Sequence, residues 1–166
     1  MKRLIYLVLA FLLMGTAPPP SAKDQHAINA FLTNVYASYR QCHGDLHDCA
    51  APIPPSRIFT PGTVRLIELN KRLNKGYAGA ATDSDPICQC QDFESISVLS
   101  ITLHAWREGK VLAKVRQRNF GVREVSLIME KTVHGWRVHD VVKAPEPGYR
   151  QRILAENRQL QKGLVN

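Results

Sequence analysis

The stretch Glu94–Lys143, ESISVLSITLHAWREGKVLAKVRQRNFGVREVSLIMEKTVHGWRVHDVVK, contains several β-type segments separated by glycine turns. In its second segment the apolar residues Val111, Ala113 and Val115 recur at every second position. The charged residues Lys114, Arg116 and Arg118 point the other way, a pattern typical of a strand with one buried face. The same alternation returns in the next two segments. Since glycine supplies the positive φ of tight hairpins, a four-stranded antiparallel meander is predicted, with turns at Glu108-Gly109, Phe120-Gly121 and His134-Gly135.

The first segment of this stretch changes phase along its length. Ile96 and Val98 share one phase, whereas Leu99, Ile101 and Leu103 occupy the opposite one. One extra residue in a strand reverses the facing of every residue after it. We therefore expect a β-bulge near Val98 and a strongly bent sheet.

Helical patterns flank the predicted sheet. Apolar residues at spacings of three and four predict a helix from a cap at Asp24 to about Arg40. A second helix is predicted from near Thr63 to Gly76, and a mostly polar one, expected to dock weakly, over 149–162. The predicted fold class is α+β: N-terminal helices packed on a curved four-stranded antiparallel sheet, with the core at about 24–143.

The first 22 residues have the layout of a cleavable secretory signal. Lys2 and Arg3 precede an apolar run to Met14, and small residues lead to Ala22. The apolar run is too short to span a bilayer comfortably. We expect cleavage after Ala22, a single α+β domain over 23–166, and a periplasmic or secreted location.

The chain is basic, with a formal charge of +8 that falls to +6 when Lys2 and Arg3 are removed with the leader. Such a charge favours anionic partners, among them membrane surfaces. The basic residues form no long run and are not interleaved with aromatic residues, so a solvated basic surface is expected, with contact to a membrane surface as an alternative and no nucleic acid partner.

Four cysteines, Cys42, Cys49, Cys88 and Cys90, are expected to be paired in an exported chain. Three connectivities are possible. Local closure of Cys42 to Cys49 is easy, but closure of Cys88 to Cys90 makes a small strained ring, so cross-pairing of the two sets is a rival.

The string from Cys42 to Cys49 also holds His43 and His47, four residues apart, with acidic neighbours. Histidine, carboxylate and thiolate are zinc ligands, but oxidation removes the thiolates. These histidines are weak metal candidates, and neither a metal nor a cofactor is expected.

A family resemblance comes from three features: the early helix with its aromatic residues, the Gly-separated meander, and the segment Asp85-Pro86-Ile87-Cys88-Gln89-Cys90-Gln91-Asp92. Over roughly residues 27–142 the chain resembles a family of small exported bacterial proteins of unknown function. That family is placed in the nuclear-transport-factor-two-like superfamily of cystatin-like, cone-shaped folds. The resemblance implies a curved sheet wrapped on helices and a pocket at the open end of the cone. It implies no activity.

Five residues are candidates for ligand binding. The resemblance places Gln91 and Asp92 near the mouth of the cone, together with Asp85, where a carboxylate could act as a base or as an anchor. The alternative is structural, because Asp85 before a proline is typical of an Asx turn. Arg116 and Arg118 share one face of a strand and could bind a carboxylate or phosphate, or could form an ordinary solvated face.

No motif for a known chemistry appears with convincing spacing, so no catalytic residue is assigned. We expect a non-catalytic binding module for a protein or small ligand, with an immunity or accessory protein as one form of it. The alternative is a small-molecule enzyme or carrier that uses a pocket at the open end of the cone.

Overall fold

The computed structural model describes residues 18–40, 53–74, 81–82, 84–90 and 96–163. These residues form four α-helices and one four-stranded antiparallel sheet in the order β1-β2-β3-β4, which confirms the predicted α+β class and meander. The short helix α2 was not predicted. The elements are α1 (Ala22–Ala37), α2 (Pro55–Ile58), α3 (Pro61–Asn74), β1 (Ser97–Ala105), β2 (Val111–Arg118), β3 (Val122–Thr132), β4 (Gly135–Val142) and α4 (Tyr149–Gln161).

The bulge predicted near Val98 is present in β1. Val98 pairs with Gln117 and Ser100 pairs with Arg116, so Leu99 is the extra residue. The phase change in the sequence is therefore a real change of register.

A second bulge lies in β4 and was not predicted. Met129 pairs with Val138 and Ile128 pairs with Asp140, which leaves His139 as the extra residue. The bulge lets Val138 and Val141, three residues apart, both be buried.

The helices cover one face of the sheet. Ile28, Leu32 and Tyr36 of α1 are fully buried, as the apolar stripe predicts, and α1 contacts β1 and β4. Every second residue of β2 from Val111 to Gln117 is buried on the same side. The apolar alternation in the strands thus marks the face that the helices cover.

The cap of α1 differs from the prediction. Helix α1 begins at Ala22, and Ser21 is its N-cap, with its Oγ accepting a hydrogen bond from the Asp24 amide at 3.2 Å. Asp24 instead lies in the first turn, where its carboxylate accepts hydrogen bonds from Lys131 and from the Trp136 indole. Since Ser21 precedes the predicted cleavage site, a chain beginning at Lys23 would lack this cap.

Helix α4 belongs to the core and is not a weakly docked appendage. Tyr149 and Ile153 are buried, and Asn157 accepts a hydrogen bond from Asn70 of α3 at 2.9 Å. The Asp140 carboxylate accepts a hydrogen bond from the Arg150 amide at the start of the helix, at 2.9 Å. The polar sequence of α4 led to the prediction of weak docking. One of its polar residues, Asn157, is instead buried and hydrogen-bonded to Asn70.

Candidate binding site

The segment Asp85–Cys90, hereafter the Asp85–Cys90 loop, is closed by its own backbone. The Asp85 amide donates to the Cys90 carbonyl at 3.0 Å, and the Cys90 amide donates back to the Asp85 carbonyl at 3.4 Å. Asp85 Oδ1 also accepts hydrogen bonds from the amides of Ile87 at 2.7 Å and Cys88 at 3.2 Å. These bonds confirm the Asx turn that the Asp85-Pro86 sequence predicts.

Two tyrosines hold this loop: Tyr36 in α1, and Tyr39 in the 3-10 turn that follows α1. The Tyr39 hydroxyl donates to Asp85 Oδ2 at 2.6 Å, and the Tyr36 hydroxyl donates to the Ile87 carbonyl at 2.9 Å. Both oxygens of the Asp85 carboxylate are therefore acceptors of structural hydrogen bonds. A carboxylate committed in this way is poorly placed to act as a general base.

The sheet holds the other side of the loop. The Gln117 side chain, fully buried on β2, donates through Nε2 to the Cys88 carbonyl at 2.8 Å. Arg123 of β3 donates to the Gln89 carbonyl at 3.1 Å. The loop is thus connected to both layers of the fold, and most of its main-chain groups are paired within the protein.

The tyrosines around the loop are held in the neutral form. Burial, followed by the nearby Asp85 charge, raises the pKa of Tyr36 and the pKa of Tyr39 above the ordinary value. Burial also raises the pKa of Tyr149, again with a contribution from Asp85. A neutral phenol is the form that donates to a carboxylate, so the protonation state fits the hydrogen bonds.

The loop contains a disulfide between Cys88 and Cys90, whose Cα atoms are 5.2 Å apart. The predicted rival, cross-pairing of these residues with Cys42 and Cys49, is therefore wrong. The ring geometry that disfavoured local closure is accommodated because Gln89, between the cysteines, adopts a left-handed backbone with φ of 52°. Cys42 and Cys49 lie outside the described residues, so their pairing with each other stays a prediction.

Two clefts flank the loop, and both are lined by Ser84, Asp85 and Pro86. The first has a volume of about 220 Å³ and brings charged side chains beside the loop: Lys143, Glu146 and Arg152. The second, of about 320 Å³, has a mostly apolar lining that includes Ile58, Phe59 and Tyr149. The loop therefore stands between a charged cleft and an apolar one.

The predicted ligand residues are not brought together. Asp85 is at the centre of the loop, whereas Arg116 and Arg118 are exposed on the sheet face opposite to the buried Gln117. Gln91 and Asp92 lie outside the described residues. The structure places Asp85 and the arginines on different faces, so they do not form one site.

Sequence reasoning missed the charged residues beside the loop. Lys143 and Glu146 form an ion pair at 3.0 Å and line the first cleft with Arg152, whose guanidinium lies 5.8 Å from the ring centre of Tyr149. Lys143 and Glu146 follow the last strand and Arg152 lies in the first turn of α4, all more than 50 positions after Asp85. No local pattern connects them to Asp85, because tertiary packing brings them together.

A second polar cluster surrounds His139. Its Nδ1 lies 2.6 Å from Glu130 Oε2, without the alignment of a hydrogen bond. Burial, followed by the Arg150 charge, lowers the pKa of His139. Among the described residues, no group of three or more His, Cys, Asp or Glu side chains could hold a metal ion. His43 and His47, the weak metal candidates, are outside the described ranges.

Comparison with protein families, characterised proteins and solved structures finds no match to this chain. The resemblance to an exported family of the nuclear-transport-factor-two-like superfamily therefore stays a prediction.

Proposed function

We propose that this chain is an exported, non-catalytic binding module that recognises a protein partner through the Asp85–Cys90 loop and the two clefts beside it. One observation carries the proposal: both oxygens of the Asp85 carboxylate are occupied by hydrogen bonds that fix the loop. The carboxylate organises the surface and leaves no free base at its centre. A surface fixed before binding loses little conformational entropy on association.

The form of the clefts favours a protein partner over an enclosed small ligand. The charged cleft, at about 220 Å³, is smaller than the roughly 300 to 1,000 Å³ of typical small-molecule sites. The apolar cleft is near the lower limit of that range. A partner that places a charged side chain in the charged cleft and an apolar side chain in the apolar cleft would use both. An accessory or immunity-type role in the periplasm fits this kind of recognition.

The test is affinity capture from periplasmic extract, followed by reconstitution with the purified partner. Wild-type protein is expected to recover a stoichiometric partner, and Lys143→Ala with Arg152→Ala is expected to weaken that complex at least tenfold, because it removes two charges from the cleft. The matched control is Arg158→Ala with Lys162→Ala, which removes two exposed charges farther along the C-terminal segment and should leave binding unchanged. Repeated recovery of the protein alone, or equal binding by both double variants, would contradict the proposal.

A further inference from the structure

Large apolar side chains are exposed at the end of the sheet where β2 turns into β3. Phe120, in the turn itself, is 72% exposed, Val122 is 50% exposed and Leu99 is 42% exposed. Leu99 is the extra residue of the β1 bulge beside Arg116 and Gln117, and Val122 pairs with Arg118. The register therefore gathers the three apolar side chains at one end of the sheet.

The turn that presents Phe120 has an unusual backbone. The Asn119 amide donates to the Gly121 carbonyl at 2.9 Å, and Phe120 between them has φ of 52°. The sequence predicts that glycine supplies the positive φ here, but Gly121 does not have it. A left-handed conformation is uncommon for a bulky residue and costs energy. Here the residue that adopts it is an aromatic one whose side chain faces solvent.

Two arginines lie beside these apolar residues on the solvent face of β2. The carboxylate opposite Arg116 belongs to Glu124, and it forms an ion pair with Lys114 at 3.3 Å. In the part of the chain that the structure describes, neither Arg116 nor Arg118 forms an ion pair or side-chain hydrogen bond. Their guanidinium groups are therefore available to an anionic ligand.

We infer that this hairpin tip, defined by Leu99, Arg116, Arg118, Phe120 and Val122, docks the protein on an anionic phospholipid surface. Protruding aromatic and aliphatic side chains enter the interfacial region of a bilayer, and adjacent guanidinium groups bind lipid phosphates at the same depth. No helix in the described ranges is long and apolar enough to cross a membrane. The contact is peripheral, and it uses a surface separate from the clefts beside the Asp85–Cys90 loop.

The bilayer fits this tip better than a duplex nucleic acid does. Guanidinium groups would suit the phosphates of either partner, but the phosphate backbone of a duplex offers nothing to three protruding apolar side chains. The net charge, +8 for the full sequence and +6 without the predicted leader, supports an anionic partner in both cases. The apolar residues therefore decide between the two.

The experiment is co-sedimentation of the exported chain, from which the predicted leader (residues 1–22) has been removed, with vesicles of phosphatidylglycerol and phosphatidylcholine, compared with vesicles of phosphatidylcholine alone. Wild-type protein should bind the anionic vesicles more tightly, and salt should weaken that binding. Phe120→Asn should reduce the affinity about tenfold, because the variant lacks the aromatic side chain that enters the bilayer interface. Arg116→Gln with Arg118→Gln should reduce it about 25-fold, at roughly fivefold for each basic residue near the surface.

Two matched controls separate docking from general surface effects. Val133→Asn removes a side chain that is 95% exposed in the β3–β4 turn, at the opposite end of the sheet. Lys71→Gln with Arg72→Gln removes two exposed charges from α3. Both controls should bind vesicles as wild type does. Since asparagine tolerates positive φ, Phe120→Asn should remain folded, which circular dichroism checks.

Three outcomes would overturn the inference. The first is equal binding to anionic and neutral vesicles. The second is an equal loss of vesicle affinity in the tip variants and in the control variants. The third is tight binding to duplex DNA that depends on Arg116 and Arg118 but not on Phe120, without preferential binding to anionic vesicles.

Discussion

The Asp85–Cys90 loop and the β2–β3 turn lie at the same end of the sheet, and each contains a non-glycine residue with φ of 52°. In the loop this residue is Gln89, whose carbonyl accepts a hydrogen bond from Arg123 while its neighbours are tied to Asp85, Tyr36 and Gln117. In the turn it is Phe120, whose side chain is exposed. The same backbone conformation thus occurs in a segment that is hydrogen-bonded to the core and in a segment whose side chain is exposed to solvent.

The difference teaches how to distinguish the two roles by mutation. Substitutions that remove contacts of the Asp85–Cys90 loop should reduce the free energy of unfolding, because buried hydrogen-bonding groups lose their partners. Substitution of Phe120 should leave stability nearly unchanged and should alter only what the surface binds.

The largest effect is expected from Asp85→Ala. It deletes the acceptor of the Tyr39 hydroxyl and of two loop amides, so we expect a loss of about 3 kcal/mol in the free energy of unfolding. Urea unfolding followed by circular dichroism measures it. Glu124→Ala is the control, because its carboxylate is exposed and pairs only with Lys114 among the described residues, and it should cost under about 0.5 kcal/mol. Equal losses in the two variants would show that the loop is not held through Asp85.

An alkaline transition should follow from the buried tyrosines. Because the folded pKa values of Tyr36, Tyr39 and Tyr149 are above the unfolded value of 10.0, their contribution is fully present below pH 10 and is lost as the pH rises above it. Each tyrosine should remove about 1.4 kcal/mol of stability per pH unit in that range.

Urea unfolding at a series of pH values above 10 measures this slope. Tyr39→Phe should reduce it by the share of one tyrosine. A variant with the wild-type slope would contradict the assignment of Tyr39 as a neutral donor to Asp85.

A smaller effect is expected from removing the disulfide with Cys88→Ala and Cys90→Ala. Its ring closes only three residues, so the chain-entropy model gives a loss of about 1.5 kcal/mol. The hydrogen bonds of Asp85 and Gln117 remain in this variant. A loss larger than that of Asp85→Ala would mean that the disulfide, and not the network of side chains, fixes the loop.

The smallest effect on stability is expected from Phe120→Asn and Gln89→Asn. Asparagine adopts positive φ more readily than either residue, so each variant should gain about 0.5 kcal/mol or remain unchanged. Thermal unfolding measures it. A loss above about 1 kcal/mol in Phe120→Asn would show that this side chain packs on the fold and is not simply presented.

Local patterns in the sequence predicted the parts of the fold that depend on neighbours along the chain. The phase change after Val98 predicted the β1 bulge, and Asp85 before Pro86 predicted the Asx turn. The charges on the outer face of β2 followed from alternation alone. In each case the physical cause lies within a few residues.

The parts that were missed depend on contacts between distant segments. Gln117 is buried because the Cys88 carbonyl, 29 positions earlier, accepts its hydrogen bond. A Cβ at Gly148, just before α4, would collide with the Asp140 carboxylate, so a larger residue there would require the Asp140 side chain to shift. Lys143 and Arg152 line the cleft beside the Asp85–Cys90 loop only after the chain has folded.

Native-state hydrogen exchange of the backbone amides tests most directly whether the Asp85–Cys90 loop is fixed before it binds anything. The Ile87 and Cys88 amides should be as protected as those of Val115 and Val125 in the buried strands, and Asp85→Ala should remove that protection selectively. Rapid exchange of Ile87 and Cys88 in the wild-type protein would contradict a preformed loop, and with it the binding surface proposed for this chain.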